Sequence, residues 1–485
     1  MPAKKTAAKP GPPAKLSKKE LKALGEKLLL QPKSIWEQAD QKTRQAIFSL
    51  AEEYKAFLSQ AKTERLAAEF IRQAAEKAGF KPLGGKAKGG RFWAGQAGKT
   101  MALAVLGQRP LSEGLRILGS HIDAPRLDLK MHPLVENQDL AFLKTHYYGG
   151  IKKYQWFARP LSIVGVICTT DGRTATINIG DAPDDPVFTV LDLLPHLSRK
   201  SQDPKKVGEA FDGERMNLVV GGLSLDGADN GDKIKLAVLK LLNDRYGVNE
   251  ADLISAELEI VPAGPARDVG LDRALVGAYG QDDRASAFGS LRAMLEITKP
   301  AVTCLSIFYD KEEIGSEGMT SAQSRWLEHL VAGLMEAAGE KADYLSVSRV
   351  LANSKALSAD VNGALDPDYP EVHDKYNAAR LGYGVCLTKY TGHGGKYGAS
   401  DANAEYVAWL RGVWDAAGVA WQAAGMGKVD EGGGGTIAKH WAVYGMDIVD
   451  VGPSMLSMHS PFEVLHKADI WASVQAYKAF MVAKP

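Results

Sequence analysis

Carboxylates and histidines directly follow several apolar runs of this 485-residue sequence. In "AVTCLSIFYDKEEIGSEG", Glu312 and Glu313 stand side by side just after a run that is typical of a buried strand. Two adjacent carboxylates are costly to keep at such a place unless they bind something. Because ligands of open α/β sheets bind at the carboxyl ends of strands, these positions are candidates for a functional site.

The same placement recurs elsewhere in the chain. Each example is weak evidence by itself, since paired aspartates are common at helix N-termini and a charged segment such as "DKEE" is usually a solvated turn. The recurring residues are His121 and Asp123 after "RILGS", Asp282 and Asp283 in "GQDDRAS" at the start of a predicted helix, Asp360 after "ALSA", and His459 after "IVDVGPSMLSM". Together they predict one cluster of acidic and imidazole groups.

Such a mixture of groups suits a pair of zinc-like ions. Zinc accepts histidine nitrogen and carboxylate oxygen, and a catalytic site keeps one position open for water. Two ions about 3.5–4 Å apart need a shared ligand, and a further carboxylate must remain off the ions to take a proton from water. Adjacent glutamates allow this division, with one side chain toward an ion and the other toward the water.

Strand and helix patterns alternate around these residues. "RILGSH", "AVTCLSIFY" and "LGYGVCLTKY" predict strands, whereas "DDRASAFGSLRAMLEI", "SRWLEHLVAGLMEAA" and "DANAEYVAWLRGVWDAAG" predict helices. Alternation of this kind predicts an α/β fold, in which a mixed, mostly parallel sheet is sandwiched between helices. Ser17 and Glu20 form a capping-box pattern at the start of the first predicted helix.

A β-rich block interrupts this alternation. Residues 131–261 contain short β-branched runs separated by turn residues, as in "LSIVGVICTT" and "TATINIG". We therefore predict a catalytic domain formed by residues 17–130 and 262–485, with residues 131–261 as an inserted β-rich dimerisation domain. Residues 1–16 are rich in lysine, alanine and proline, which predicts a disordered basic tail.

The bulk composition argues against several function classes. With a formal net charge of +1, no global field would attract nucleic acid or an anionic membrane. No stretch reaches the roughly 18–20 apolar residues of a membrane span, and the N-terminus shows no apolar signal core. The three cysteines are too few for a disulfide framework, and their apolar surroundings predict small core residues in a reducing cytoplasm.

The ordered motifs resemble those of the M18 metallopeptidases, which include aspartyl aminopeptidase and the bacterial aminopeptidase 1 group. The resemblance runs from about residue 20 to the C-terminus. Its most specific parts are the "HxD" of "GSHIDAPRLDLK", the "DxEEIGSEG" of "FYDKEEIGSEG" and the "MHS" of "DVGPSMLSMHSPFEVLHKAD". "GQDDRASAF" and "LSADVNGALDPDYP" match as well, and "KYTGHGGKYGASDA" is closer to the bacterial group. The resemblance implies a di-zinc exopeptidase fold.

The resemblance also implies a role for each matched residue. By position, His121 and Asp360 would be ligands of one metal ion, and Glu313 and His459 would be ligands of the other. Asp282 would be the carboxylate that bridges the two ions, and Glu312 would be the general base. Asp123 would orient His121, as an acid does when it fixes the tautomer of a metal-binding imidazole. Asp283 stands where the family often has asparagine.

Two further comparisons with the family concern the substrate. The stretch "VFTVLDLLPHLSRK" resembles the family's "HL" segment, whose histidine reaches into the neighbouring subunit's active site, so His196 would stabilise the oxyanion of the reaction. The alternative is an ordinary surface or core histidine of the inserted domain. Where aspartyl aminopeptidases read "HPNY" with a preceding histidine, this sequence reads "LDPDYP". A strict preference for acidic N-terminal residues is therefore not implied.

These observations predict a cytoplasmic aminopeptidase with two divalent metal ions, zinc first and cobalt or manganese as alternatives. Its substrate would be a peptide with a free N-terminus. The resemblance implies a homo-oligomer, a dodecamer built from dimers. Two other functions stay open: a di-zinc amidohydrolase such as a deacylase or carboxypeptidase, since related folds host these, and a non-catalytic assembly protein that kept the fold.

Overall fold

The structure is a computed structural model that describes residues 16–84, 90–226 and 231–484. The tail predicted for residues 1–16 lies outside the described residues, except for Leu16. Within the described ranges, no helix combines the length and apolar character needed to cross a membrane.

The strands and helices follow the predicted alternation. The strands are β1 (Lys81–Pro82), β2 (Arg91–Gln96), β3 (Thr100–Val105), β4 (Arg116–His121), β5 (Arg126–Asn137), β6 (Leu140–Tyr148), β7 (Leu161–Cys168), β8 (Thr174–Ile179), β9 (Thr189–Val190), β10 (Leu218–Gly221), β11 (Ala256–Pro262), β12 (Arg267–Val269), β13 (Leu275–Ala278), β14 (Cys304–Tyr309), β15 (Lys355–Ser358), β16 (Asn362–Gly363), β17 (Val385–Thr388), β18 (Trp421–Ala423), β19 (Asp447–Gly452), β20 (Ser454–Leu456) and β21 (Glu463–His466). The α-helices are α1 (Lys18–Leu28), α2 (Ile35–Gln38), α3 (Gln41–Gln60), α4 (Glu64–Lys77), α5 (Pro195–Ser201), α6 (Val207–Ala210), α7 (Lys233–Tyr246), α8 (Gln281–Glu296), α9 (Trp326–Ala337), α10 (Tyr344–Ala352), α11 (Ala404–Ala417), α12 (Ile437–Trp441) and α13 (Lys467–Val482). The capping box predicted for α1 is present, with Ser17 and Glu20 bonded reciprocally.

A nine-stranded mixed sheet forms the centre of the α/β unit. Its strand order is β1-β2-β3-β14-β4-β15-β19-β17-β18. The four central strands β14, β4, β15 and β19 are all parallel, whereas β3 and β17 run antiparallel to their inner neighbours. Parallel strands need crossover connections, which here contain helices. The predicted mixed α/β architecture is confirmed.

Helices cover both faces of this sheet. Successive side chains of a strand point to opposite faces, and β4 shows the consequence. Leu118 packs in one core with residues of α3, α4, α8, α11 and α13, while its neighbour Ile117 packs in a second core with α9, α10 and α12. Each fully buried aliphatic side chain of this kind contributes about 1.5–3 kcal/mol of hydrophobic free energy. The sheet is therefore the middle layer of three.

A second, seven-stranded sheet lies between β4 and β13 in the sequence. Its order is β8-β7-β11-β5-β6-β10-β9, and all its neighbouring strands are antiparallel. It has a hydrophobic core of its own around Trp156, Leu127 and Ile260. Along the chain, the first strand of this sheet begins at Arg126, before the predicted boundary at residue 131. The last one ends at Pro262, next to the predicted boundary at residue 261.

A third sheet of five short strands, β12-β13-β21-β20-β16, completes the architecture. Strand β13 leads into α8, and β20 leads into the loop that carries His459. Cys304 and Cys386 are buried as predicted, but Cys168 is exposed, so the prediction of a core residue is wrong there. Cys168 is the last residue of β7 and pairs with Thr174 of β8, where the hairpin leaves the core.

Candidate metal centre

The carboxyl ends of adjacent parallel strands bring three predicted site segments together. Strand β4 ends at His121, β14 leads to a short 3-10 turn at Glu312–Ile314, and β15 ends two residues before Asp360. Because β14 and β15 both pair in parallel with β4, these ends meet at one edge of the sheet.

Asp282 lies between the two histidines of the site. It and Asp283 begin α8 with non-helical backbone angles, and both side chains are buried. The Oδ1 atom of Asp282 is 3.3 Å from Nε2 of His121, and its Oδ2 atom is 3.2 Å from Nε2 of His459. One carboxylate thus faces two imidazoles through different oxygens, which is the arrangement of a ligand that bridges two ions.

Two further carboxylates flank this arrangement. The Oε2 atom of Glu313 is 3.4 Å from Nε2 of His459, and the Oδ1 atom of Asp360 is 4.0 Å from Nε2 of His121. Two groups have donor atoms that all lie within 4.8 Å of one another: His121 with Asp282 and Glu313, and His121 with Asp283 and Asp360. His459 joins them through its contacts with Asp282 and Glu313, so all five predicted metal ligands lie in one cluster, which also contains Asp283.

Each imidazole is bonded to the protein through Nδ1 and presents Nε2 to the carboxylates. Nδ1 of His121 is 3.1 Å from the carbonyl oxygen and 3.2 Å from Oδ1 of Asp123. Nδ1 of His459 is 2.9 Å from the carbonyl oxygen of Gly150. A proton donated from Nδ1 leaves the Nε2 lone pair free for a metal ion, and a bond of this kind accompanies almost every metal-binding histidine.

The charge of the cluster also fits divalent cations. Its carboxylates are those of Asp282, Asp283, Glu312, Glu313 and Asp360, and none of the described lysines or arginines forms an ion pair with them. Within the described residues, His121 and His459 offer them at most two positive charges against five carboxyl groups, and buried carboxylates short of compensating charge are strongly unfavourable. Nitrogen and oxygen donors in this number suit zinc and similar ions.

This crowding shifts the pKa values of the group. Burial raises the pKa of Glu312 to about 7, and it raises the pKa of Glu313 and of Asp360 well above the ordinary range. Against the effect of burial, hydrogen bonds with the two histidines hold the pKa of Asp282 well below its usual value. Also against burial, the Asp282 carboxylate raises the pKa of His459 to about 10. Excess negative charge of this kind is what bound cations relieve.

Asp123 connects His121 to the two glutamates. Its Oδ1 atom accepts the N–H of Glu312 at 3.2 Å, and its Oδ2 atom accepts the N–H of Glu313 at 3.2 Å and the hydroxyl of Tyr148 at 2.7 Å. Burial and the charge of Asp123 raise the pKa of Tyr148 well above its usual value, which keeps the phenol protonated as a donor.

Glu463 is a residue of the site that the sequence analysis missed. Its Oε2 atom accepts the N–H groups of Gln281 and Asp282 at 2.5 and 3.2 Å, and its Oε1 atom accepts the N–H of His459 at 2.9 Å. It thereby joins the segments of two predicted ligands. Burial raises its pKa to about 8. Only its position four residues after His459, in "HSPFE", could have suggested it.

A cleft of about 490 Å³ opens onto the cluster and is lined by His121, Glu312 and His459 among others. His196 is not part of this lining. It lies on α5, where its side chain is exposed, so it is not a core histidine and does not line the cleft of its own subunit.

An α/β sheet that presents this donor set at its carboxyl edge is typical of metal-dependent hydrolases. The family model described as Aminopeptidase I zinc metalloprotease (M18) matches residues 57–481. The chain therefore belongs to the M18 family of zinc metallopeptidases.

Individual relatives agree with this assignment. A Clostridium acetobutylicum protein named "Probable M18 family aminopeptidase 1" is 45% identical over 461 residues, which are 94% of this chain and 99% of that protein. The crystal structure of an M18 aminopeptidase from Thermotoga maritima is 44% identical with a TM-score of 0.89, covering 93% of this chain and 99% of that chain. A structure described as the mApe1 dodecamer of S. cerevisiae, 22% identical with a TM-score of 0.71 over 89% of this chain and 96% of that one, shares the fold.

Proposed function

We propose that this M18 aminopeptidase uses two divalent metal ions, zinc in the first place, to remove the N-terminal residue from peptides. One observation carries the proposal: the two oxygens of Asp282 face Nε2 of His121 and Nε2 of His459 at 3.3 and 3.2 Å. Asp360 completes the ligands beside His121, and Glu313 completes those beside His459. Cobalt and manganese accept the same donor types, so they are alternative ions.

Glu312 is the residue best placed to move the proton of the reaction. Its Oε2 atom is 3.9 Å from Nε2 of His121 and lines the cleft, and the family resemblance gives Glu312 the role of base and not that of a ligand. Bound metal ions would polarise the scissile carbonyl and make water more acidic. Glu312 accepts a proton from a water in the cleft as the water oxygen adds to the scissile carbonyl carbon, and it passes this proton to the amine nitrogen as the C–N bond breaks. An acid–base catalyst works best when its pKa lies near the operating pH; burial raises the pKa of Glu312, and bound cations would act in the opposite direction.

The charge of the site favours a substrate with a free N-terminus. A substrate ammonium group is attracted by the buried carboxylates that surround Asp282, whereas a terminal carboxylate is repelled by them. The cleft wall also contains Lys439, which could instead hold a carboxylate, as in a carboxypeptidase. We favour the N-terminal ammonium because the family resemblance implies an aminopeptidase, and the substrate comparison below separates the two alternatives.

A direct test combines metal analysis with matched substrates. We expect the purified protein to contain two divalent ions per chain and to hydrolyse aminoacyl nitroanilides, and we expect N-terminal acetylation of the same compounds to abolish hydrolysis. Turnover of the acetylated compounds would show an amidohydrolase instead. Hydrolysis from the carboxyl end of a peptide would show a carboxypeptidase. A protein without bound metal and without turnover would be a non-catalytic member of the family.

The second sheet supplies the surface that we propose for the homo-oligomer. Around α5 and α6, large apolar side chains with 39–61% exposure lie close together in sequence: Val187, Leu191, Leu193, Leu194, Leu197 and Val207. Large apolar side chains that are exposed in such number within one segment are typical of a protein interface. We propose that a second copy covers it, in an assembly comparable to the yeast dodecamer. His196 lies within this surface, which supports a role for it in the partner's active site.

A further inference from the structure

The end of strand β6 reaches the metal centre from the second sheet, which carries none of the proposed ligands. Tyr148, the last residue of β6, donates its hydroxyl to Oδ2 of Asp123 at 2.7 Å. Two residues later, the carbonyl oxygen of Gly150 lies 2.9 Å from Nδ1 of His459. One short segment therefore contacts His459 directly and His121 through Asp123.

The backbone of this segment is shaped for a close approach. Gly149 has a φ of +72°, a left-handed conformation that side chains other than glycine rarely adopt. A Cβ atom on Gly149 would lie 3.4 Å from Cβ of Glu313, and one on Gly150 would lie 3.3 Å from Nδ1 of His459. Two glycines thus let the chain pass directly beside two proposed ligands.

The ring of Tyr148 is held in place by groups outside the site. Tyr148 pairs with Arg126 across β5 and β6, and the guanidinium carbon of Arg126 lies 3.9 Å from the centre of the ring. Arg126 is itself buried between Glu64 and Glu259, at 3.4 and 3.2 Å. A ring locked by such neighbours presents its hydroxyl in one position, as a pre-organised site requires.

We propose that Tyr148 is a positioning residue of the metal centre. Its hydroxyl holds Asp123, and through Asp123 it orients the ring of His121 and the backbone of Glu312 and Glu313. The inference rests on the proposed function, since it concerns how the proposed ligands are held. Hydrogen-bond partners behind metal ligands are worth about 10–100-fold in metal affinity or activity. Tyr148 stands one bond further from the ligand, behind Asp123, so we expect the lower end of that range, about tenfold.

The neighbouring residue offers a matched control. Tyr147 is 43% exposed, and its hydroxyl forms no hydrogen bond to any residue in the described ranges. Tyr148→Phe and Tyr147→Phe therefore remove the same atom from adjacent positions. The first zinc ion should leave Tyr148→Phe at about a tenfold lower chelator concentration than it leaves the wild type. The kcat of Tyr148→Phe should be about tenfold below that of the wild type, with KM unchanged. Tyr147→Phe should match the wild type in both measurements.

A double variant shows whether Tyr148 acts through Asp123. In an Asp123→Asn background, adding Tyr148→Phe should change the chelator concentration that releases zinc by less than twofold. The reason is that the effects of substitutions within one hydrogen-bond network do not add. A full tenfold further change would overturn the proposal, and so would a Tyr148→Phe protein that releases zinc like Tyr147→Phe. If instead the wild type itself binds no zinc, the proposed function has failed and not merely the role of Tyr148.

Discussion

Replacing the two adjacent glutamates one at a time separates the proton acceptor from the metal ligand. Glu312→Gln should keep both metal ions, because Glu312 is not one of the five proposed ligands and its amide would stay 3.9 Å from Nε2 of His121. Its neutral amide cannot accept a proton, and loss of a general base typically lowers kcat about 10² to 10⁴-fold, which is about 3–5 kcal/mol of activation free energy. Glu313→Gln should instead release one ion, because Oε2 of Glu313 lies 3.4 Å from Nε2 of His459 and its side chain is only 5% exposed.

The assay measures metal content by elemental analysis and kcat on one aminoacyl nitroanilide for each purified variant. Glu317→Gln is the control, because Glu317 is an exposed glutamate of the same "EEIGSEG" segment. It should retain two ions and wild-type kcat. Re-addition of zinc should restore part of the activity of Glu313→Gln and none of the activity of Glu312→Gln.

Two results would refute this reasoning. If Glu312→Gln and Glu313→Gln lose the same amount of metal, the division of roles between them is wrong. If Glu312→Gln keeps both ions and more than about a tenth of the wild-type kcat, another group accepts the proton, because a general base contributes at least about 10²-fold.

Three further predictions follow from other parts of the structure. Leu194→Glu combined with Leu197→Glu should reduce the assembly to smaller species in analytical ultracentrifugation, because both side chains are at least half exposed on the proposed interface. His196→Ala and Glu312→Gln should each be nearly inactive, yet mixed and reassembled they should recover activity, since some pairings place an intact His196 beside an intact Glu312. Burial lowers the pKa of His466 to about 4, so its stabilisation is present above the unfolded pKa of about 6.5 and is lost as the pH falls toward 4. Between pH 7 and pH 5 the wild type should therefore lose about 2 kcal/mol more unfolding free energy than His466→Gln.

Each of these predictions has a result that contradicts it. Leu271→Glu, at a fully exposed site outside the second sheet, is the control for the interface, and equal sedimentation of all variants would exclude the α5 surface. Mixed oligomers, verified by mass, with no activity above the two parents would exclude a role for His196 in trans. Parallel stability curves for the wild type and His466→Gln between pH 5 and 7 would show that His466 does not titrate as described.

Much of the proposed centre could be predicted from local sequence. His121, Glu312 and Asp360 follow apolar runs that form neighbouring parallel strands, and parallel strands place their carboxyl ends at one edge. Asp282 was recognisable at the start of a helix. Family resemblance then supplied a role for each residue, while the distances around Asp282 show only that the residues meet.

Other features could not be read from the sequence. The antiparallel directions of β3 and β17 depend on how the chain returns to the sheet, which strand composition does not encode. The exposure of Cys168 depends on where a hairpin leaves its core, although the residue stands in an apolar run. His196 has an exposed position in this subunit, and its environment in an assembly depends on a second chain.

By itself, the sequence determined the alternation of strands and helices, the interrupting β-rich segment and the chemical types of the ligands, because these depend on residue order along short stretches. Asp123 was predicted to orient His121, but only the tertiary structure decided what else holds the ligands. The bond from Tyr148 to Asp123 spans 25 residues, and the contact between His459 and the carbonyl of Gly150 spans 309. Contacts over such separations leave no periodic pattern in the sequence, because they form only where different sheets pack against each other and bury their polar groups together.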